Sequence, residues 1–159
     1  MLQRVQTLFL LAVVLLMACL FFVPYAAYTG ASQGLEFTVM GMSPVDAQGE
    51  MLPQGRMLVW QLAVLTGFVG LGALLTIGLF RRRLLQIRLC AVNIVLLLGL
   101  QVLMPLMASA MAHQQLQTVE GNAWHLPTVF PVVGAILMFL ALRAIGRDEA
   151  LVRSLDRLR

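Results

Sequence analysis

The sequence predicts an all-α integral membrane protein: a four-transmembrane-helix bundle with both termini on the cytoplasmic side. Three observations carry this. Of 159 residues, 60% are hydrophobic and 11% charged, and the mean hydropathy is +0.90, a balance that leaves no polar surface for water. Four apolar stretches, at about 5–27, 57–80, 89–112 and 126–145, are each long enough to cross a bilayer, which takes roughly 20 residues at about 1.5 Å each. The 11 cationic residues are all arginine, and with an N-in, C-in topology only Arg56 falls outside. That asymmetry is the positive-inside pattern. The length suits a single membrane domain, 1–159, with a cytoplasmic tail at 146–159.

The first stretch follows Arg4 and ends near Pro24, Tyr28 and Gly30. Its apolar core exceeds the roughly 7 to 15 residues of a cleaved signal, and Tyr25 spoils the small-residue pattern of a cleavage site, so it reads as a retained helix. The outer loop from Thr29 to Arg56 contains "GLEFTVMGM", in which Leu35, Phe37 and Val39 share one side, followed by "SPVDAQGEMLPQG". A small β-hairpin over the bundle mouth and an irregular loop are both compatible with it. The second stretch holds "GFVGLGALLTIG", and Ala63 with Gly67 forms a small-xxx-small pair suited to close helix contact.

"RRRLLQIR", Arg81 to Arg88, separates the second and third stretches, and Pro105 should kink the third. "HQQLQTVEGNAWH" follows, with Trp124 as an interfacial anchor. Pro127 and Pro131 open the fourth stretch, where missing donors cost least.

The apolar runs exclude much chemistry. None carries Asp, Glu, Lys, Arg or His away from its ends, which disfavours a proton or ion pathway and leaves no paired histidines for haem. Cys19 and Cys90 form no C-x-x-C pair, and His113 and His125, the only histidines, lack acidic or cysteine company for a metal. No catalytic constellation, cofactor site or metal site is expected. The basic balance reflects topology and calls for no nucleic acid. The remaining interior polar groups are Gln61 and Thr66 on the second stretch and Asn93 and Gln101 on the third, with Ser109 near its outer end. Asn93, Leu97 and Gln101 stand four apart on one helical face that should point inward.

The ending "RDEALVRSLDRLR" differs from all that precedes it. Leu151, Val152, Leu155 and Leu158 form an apolar stripe, and Glu149 stands four before Arg153 in the favourable order. Asp148 and Glu149 at the start suit a helix dipole, and Gly146 offers a break from the fourth span. A short amphipathic cytoplasmic helix is therefore expected. Its arginines are largely offset by Asp148, Glu149 and Asp156, whereas Arg81, Arg82, Arg83 and Arg88 have no acid among them. The basic segment is thus expected to hold anionic lipid headgroups. The tail, through Asp148, Glu149, Leu151, Val152, Leu155, Asp156, Arg157 and Leu158, is expected to dock on protein, with Asp148 and Glu149 meeting Arg81 to Arg83.

The opening "MLQRVQTLFLL", the central "RRRLLQIRLC" and the ending "RDEALVRSLDRLR" together resemble the domain-of-unknown-function family 4293, four-span inner-membrane proteins of Bacteroidota. Matching positions are Gln3, Arg4 and Gln6; Gln86, Arg88 and Cys90; and Asp148, Glu149, Leu151, Val152, Ser154, Asp156, Arg157 and Arg159. The resemblance implies a bacterial inner-membrane location with any family-wide role at the cytoplasmic face, and it implies no activity. Two functions follow as expectations. The first is a non-enzymatic accessory subunit or assembly factor of a membrane complex, docking other membrane subunits through the basic loop and tail. The second is a small transporter or a lipid- or quinone-handling protein that uses Gln61, Asn93 and Gln101.

Overall fold

Four α-helices carry the apolar runs: α1 over Leu2–Leu20, α2 over Trp60–Gly78, α3 over Arg83–Gln115 and α4 over Phe130–Asp156. The computed structural model describes residues 2–31, 33–46, 52, 57–79, 82–116 and 118–156, with side chains left undescribed at 2–5, 57 and 149–156. Three segments, Trp60–Gly78, Arg83–Gln115 and Leu126–Asp148, are long and apolar enough to cross a membrane; the apolar part of α1, Gln6–Leu20, is shorter.

The helix ends differ from the apolar boundaries in three places. Helix α1 stops at Leu20, and Ala26 and Ala27, expected in the first span, pair in a sheet instead. Helix α3 begins at Arg83, so most of the basic segment expected as a loop is helix and the connection from α2 is only 79–82. Leucine, glutamine and arginine are strong helix formers, and a charge does not end a helix. Helix α4 runs unbroken through Gly146 to Asp156, which corrects the separate short tail helix. One interior glycine costs about 1 kcal/mol against alanine, too little to stop a helix flanked by Ala144, Asp148 and Ala150.

The helices form a closed ring in which α1 packs on α2 and α4, and α3 packs on the same two. Their inward stripes keep helical spacing: Leu10, Val13, Met17 and Leu20 on α1, and Leu97, Leu100, Met104 and Ala108 on α3, all buried. Two glycines set the closeness of the crossings. A Cβ at Gly134 of α4 would lie 3.2 Å from Leu97 Cδ2, and one at Gly72 of α2 would lie 2.7 Å from Asn93 Oδ1. Asn93 Nδ2 meanwhile donates to the Val69 carbonyl at 3.1 Å, so this amide locks α3 to α2 where the glycine opens room. A Cβ at Gly67 meets nothing within 4 Å, so the Ala63–Gly67 pair makes no such contact in this chain.

The long connections pair as one antiparallel sheet: β1 over Ala26–Gly30, β2 over Gly34–Thr38, β3 over Gly41–Val45, β4 over Met57–Leu58 and β5 over Val119–Trp124, in the order β4-β3-β2-β1-β5. This exceeds the hairpin that the first outer loop suggested and corrects the all-α expectation, since β5 comes from the connection between α3 and α4. The register Ala26↔Phe37, Tyr28↔Leu35, Phe37↔Met42 and Ala26↔Trp124 puts these side chains on one face, and Leu35, Phe37, Tyr28 and Met42 are buried there. The rings of Tyr28 and Phe37 meet edge-on at 5.6 Å and those of Tyr28 and Trp124 at 6.0 Å. Tyr28, Leu35, Phe37 and Met42 join the core of the helices, so the sheet closes one mouth of the bundle.

Gly72→Ala forces Asn93 from its position and should destabilise the fold by about 1–3 kcal/mol, as overpacking does, while Gly67→Ala, mid-helix with open space for its Cβ, should stabilise by up to about 1 kcal/mol. Thermal unfolding of the detergent-solubilised variants checks this, and the double variant Gly72→Ala with Asn93→Ala should recover part of the loss.

Candidate functional site at the open end of the bundle

At the end opposite the sheet, all four helices contribute to a cavity of about 350 Å³ lined by Gln6, Thr7, Ile77, Arg83, Gln86, Ile145 and Asp148. Gln6 comes from the first turns of α1 and Ile77 from the last turn of α2. Arg83 and Gln86 open α3, and Ile145 and Asp148 lie one turn apart on α4. The short 79–82 connection holds the end of α2 and the start of α3 together, and the unbroken course of α4 through Gly146 carries Asp148 back over α1.

The polar groups of the cavity wall are mostly satisfied. Gln6 and Gln86 are both buried. Gln6 Nε2 donates to Asp148 Oδ2 at 2.8 Å, which ties the start of α1 to α4 through a hydrogen bond to a charged group, worth about 1.5–3 kcal/mol. Gln86 Nε2 donates to the Thr76 carbonyl at 3.0 Å. That carbonyl belongs to the last turn of α2, where the helix supplies no donor of its own, so the side chain acts as a cap from the next helix. Arg83 differs: its Nη1 is buried and has no hydrogen-bond partner among the described residues.

The residues singled out from the sequence separate into groups. Among the lipid-contact arginines, Arg82 and Arg88 are exposed, Arg83 is half-buried in the cavity wall, and Arg81 lies outside the described residues. Of the docking set, Asp148 is in the cavity; the side chains of Glu149, Leu151, Val152, Leu155 and Asp156 and all of Arg157 and Leu158 lie outside what is described. Asp148 and Arg83 line the same cavity, and the hydrogen bond of Asp148 goes to Gln6. In the bundle interior Asn93 and Leu97 are buried and Gln101 half-buried, its Oε1 without a partner among the described residues, as is the hydroxyl of buried Thr66. Gln61 is corrected: it is exposed in the first turn of α2 and takes no part in the interior.

Gln6 and Gln86 were not read as site residues, although both stand in segments that carry the family resemblance. Their signal is an amide in an otherwise apolar or basic helical turn; the sequence does not show the register that brings these two turns to one point. Among the described residues no three His, Cys, Asp or Glu side chains are grouped to hold a metal, and His113 and His125 are both exposed.

Gln86→Leu leaves the Thr76 carbonyl without its donor and should cost about 1–3 kcal/mol. Hydrogen exchange should quicken in the last turn of α2, while Arg88→Gln, on an exposed position nearby, should leave that exchange unchanged.

The family described as Domain of unknown function (DUF4293) matches residues 2–158, nearly the whole chain. No curated protein matches it.

Proposed function

The chain belongs to the DUF4293 family, and from that premise we propose that it is a non-enzymatic protein of the bacterial inner membrane, with four spans and both termini cytoplasmic, serving as an accessory subunit or assembly factor of a membrane complex. The observation that carries the reading is the combination of an apolar exterior with a polar, helix-continuous cytoplasmic end. Exposed Leu8, Leu11 and Leu15 on α1 match exposed Phe68 and Leu71 on α2, Val95 and Val102 on α3 and Ile136 and Phe139 on α4. An apolar belt on every helix, α1 included, supports immersion of all four in lipid. Exposed Trp60 and Trp124 at the sheet end and exposed Arg82, Arg88, Arg143 and Arg147 toward the other support interfaces on both sides of that belt.

The cytoplasmic end is the surface for a partner. Helix α4 extends two turns past Asp148, and the sequence there spaces Leu151, Leu155 and Leu158 along one helical face, the pattern of a helix that lies in a groove of another protein. Arg82 and Arg88 would hold lipid headgroups around it. The second reading, a small transporter or a lipid- or quinone-handling protein, draws support from the unpartnered Thr66 hydroxyl and Gln101 Oε1 inside the bundle.

Orientation is tested with single cysteines in a background lacking Cys19 and Cys90: a membrane-impermeant thiol reagent on intact spheroplasts should label Asp46→Cys and spare Ser154→Cys until the cells are opened. Function is tested by gentle extraction from native membrane and mass spectrometry of what accompanies the chain. A stoichiometric polypeptide that is lost when residues 149–159 are deleted is the expected result. A chain that comes alone, or with lipid or quinone only, rejects the subunit reading in favour of the second.

A further inference from the structure

We propose that the cavity at the open end of the bundle binds a zwitterion made of a phosphate ester and a primary ammonium, the chemistry of a phosphoethanolamine headgroup, with the phosphate on Arg83 and the ammonium on Asp148. The Nη1 of Arg83 is buried and, among the described residues, without an acceptor. A charged N–H shut away from water with no partner is costly, and an anionic oxygen from a ligand removes that cost. Guanidinium and phosphate also match in geometry, two donors to two oxygens.

A simple anion does not complete the site. Asp148 lines the same cavity, and among the described residues no ion pair offsets its charge, since its one bond is from the neutral amide of Gln6 at 2.8 Å. An anion on Arg83 alone would sit beside that carboxylate and be repelled. A ligand that carries an ammonium next to its phosphate neutralises both walls at once, and the ammonium hydrogens are donors for the carboxylate. The cavity holds about 350 Å³, in the range of small-ligand sites. Ile77 and Ile145 give it apolar flanks for the carbon chain between the charges or for the glycerol beyond. Gln6 holds the carboxylate in place, while the amide nitrogen of Gln86 is engaged by the Thr76 carbonyl.

The group has two sources, a membrane lipid or a free phosphoethanolamine ester. The lipid source rests on the membrane reading above, because the last turn of α2 and the first of α3 then lie at headgroup depth. The full chain, purified in detergent and delipidated, is given phosphatidylethanolamine, phosphatidylglycerol or phosphatidylcholine, and native mass spectrometry measures what stays bound. The expected result is retention of phosphatidylethanolamine about tenfold above the other two, since phosphatidylglycerol lacks the ammonium and phosphatidylcholine lacks its N–H donors. Asp148→Asn should abolish the preference over phosphatidylglycerol, and Arg83→Gln should lower retention of all three at this site. Glycerophosphoethanolamine in place of lipid separates the sources: a rise in thermal stability at millimolar concentration assigns the site to the free ester, and no rise with lipid retained assigns it to the membrane. Equal retention of the three lipids together with no response to the free ester overturns the proposal. The comparison on the unaltered chain does so even if a variant fails to fold, and it stands whether or not a partner subunit co-purifies.

Discussion

Two connections lying about ninety residues apart in the chain share one sheet because β1 pairs with β2 on one side and with β5 on the other. This pairing fixes the order of the bundle from one end, since it gathers the close of α1, the start of α2, the close of α3 and the entry to α4. Tyr25 sits at the junction. Its N–H donates to the Phe37 carbonyl, and its own carbonyl accepts the His125 N–H at 3.0 Å and the Thr128 hydroxyl at 2.5 Å. Its hydroxyl donates to the Met104 carbonyl of α3 at 3.4 Å. Burial pushes the Tyr25 phenol well above its ordinary pKa, so it stays a donor throughout the physiological range.

The opposite end has no sheet. There the helices are joined by one short connection and by side chains, and Gln6 with Asp148 and Gln86 with the Thr76 carbonyl do the joining. Between the ends, apolar residues face both inward and outward, so burial of apolar surface distinguishes one helix pairing from another only weakly. Close approach and hydrogen bonding select the partner instead. Asn93 fitted over Gly72 and Leu97 fitted against Gly134 are such selections, each combining one small residue with one that fills the space it leaves.

The helical runs were legible because length and apolarity alone mark them, and the alternation of Leu35 and Phe37 marked the buried face of β2. Helix ends were less so. Hydropathy locates where a helix is apolar, while Arg83 and Arg88 are charged and still helical, and Gly146 is a weak breaker in strong surroundings. Strand β5 left little trace: its sequence VEGNAW carries a glycine and an asparagine, its residues are mostly exposed on the sheet edge, and its partner is remote in sequence. Gln61 was misplaced for a related reason. Helix α2 is apolar almost all round, so its rotation cannot be read from pattern, and only packing shows that Thr66 and Val69 face inward while Gln61 faces out. The cavity required the registers of four helices together. Its residues were visible singly, and their meeting was not.

The continuity of α4 through Gly146 has a mechanical meaning. A helix of 27 residues is a rod about 40 Å long at 1.5 Å per residue, with one end anchored under the sheet and the other projecting beyond the bundle. A flexible joint at Gly146 would let the projecting part ignore what happens within the bilayer. A rod does not permit that: pivoting about its sheet end by 10° sweeps the far end through about 7 Å. A tilt of α4 at its sheet end would therefore reach the final turns undiminished, where a hinge at Gly146 would absorb it.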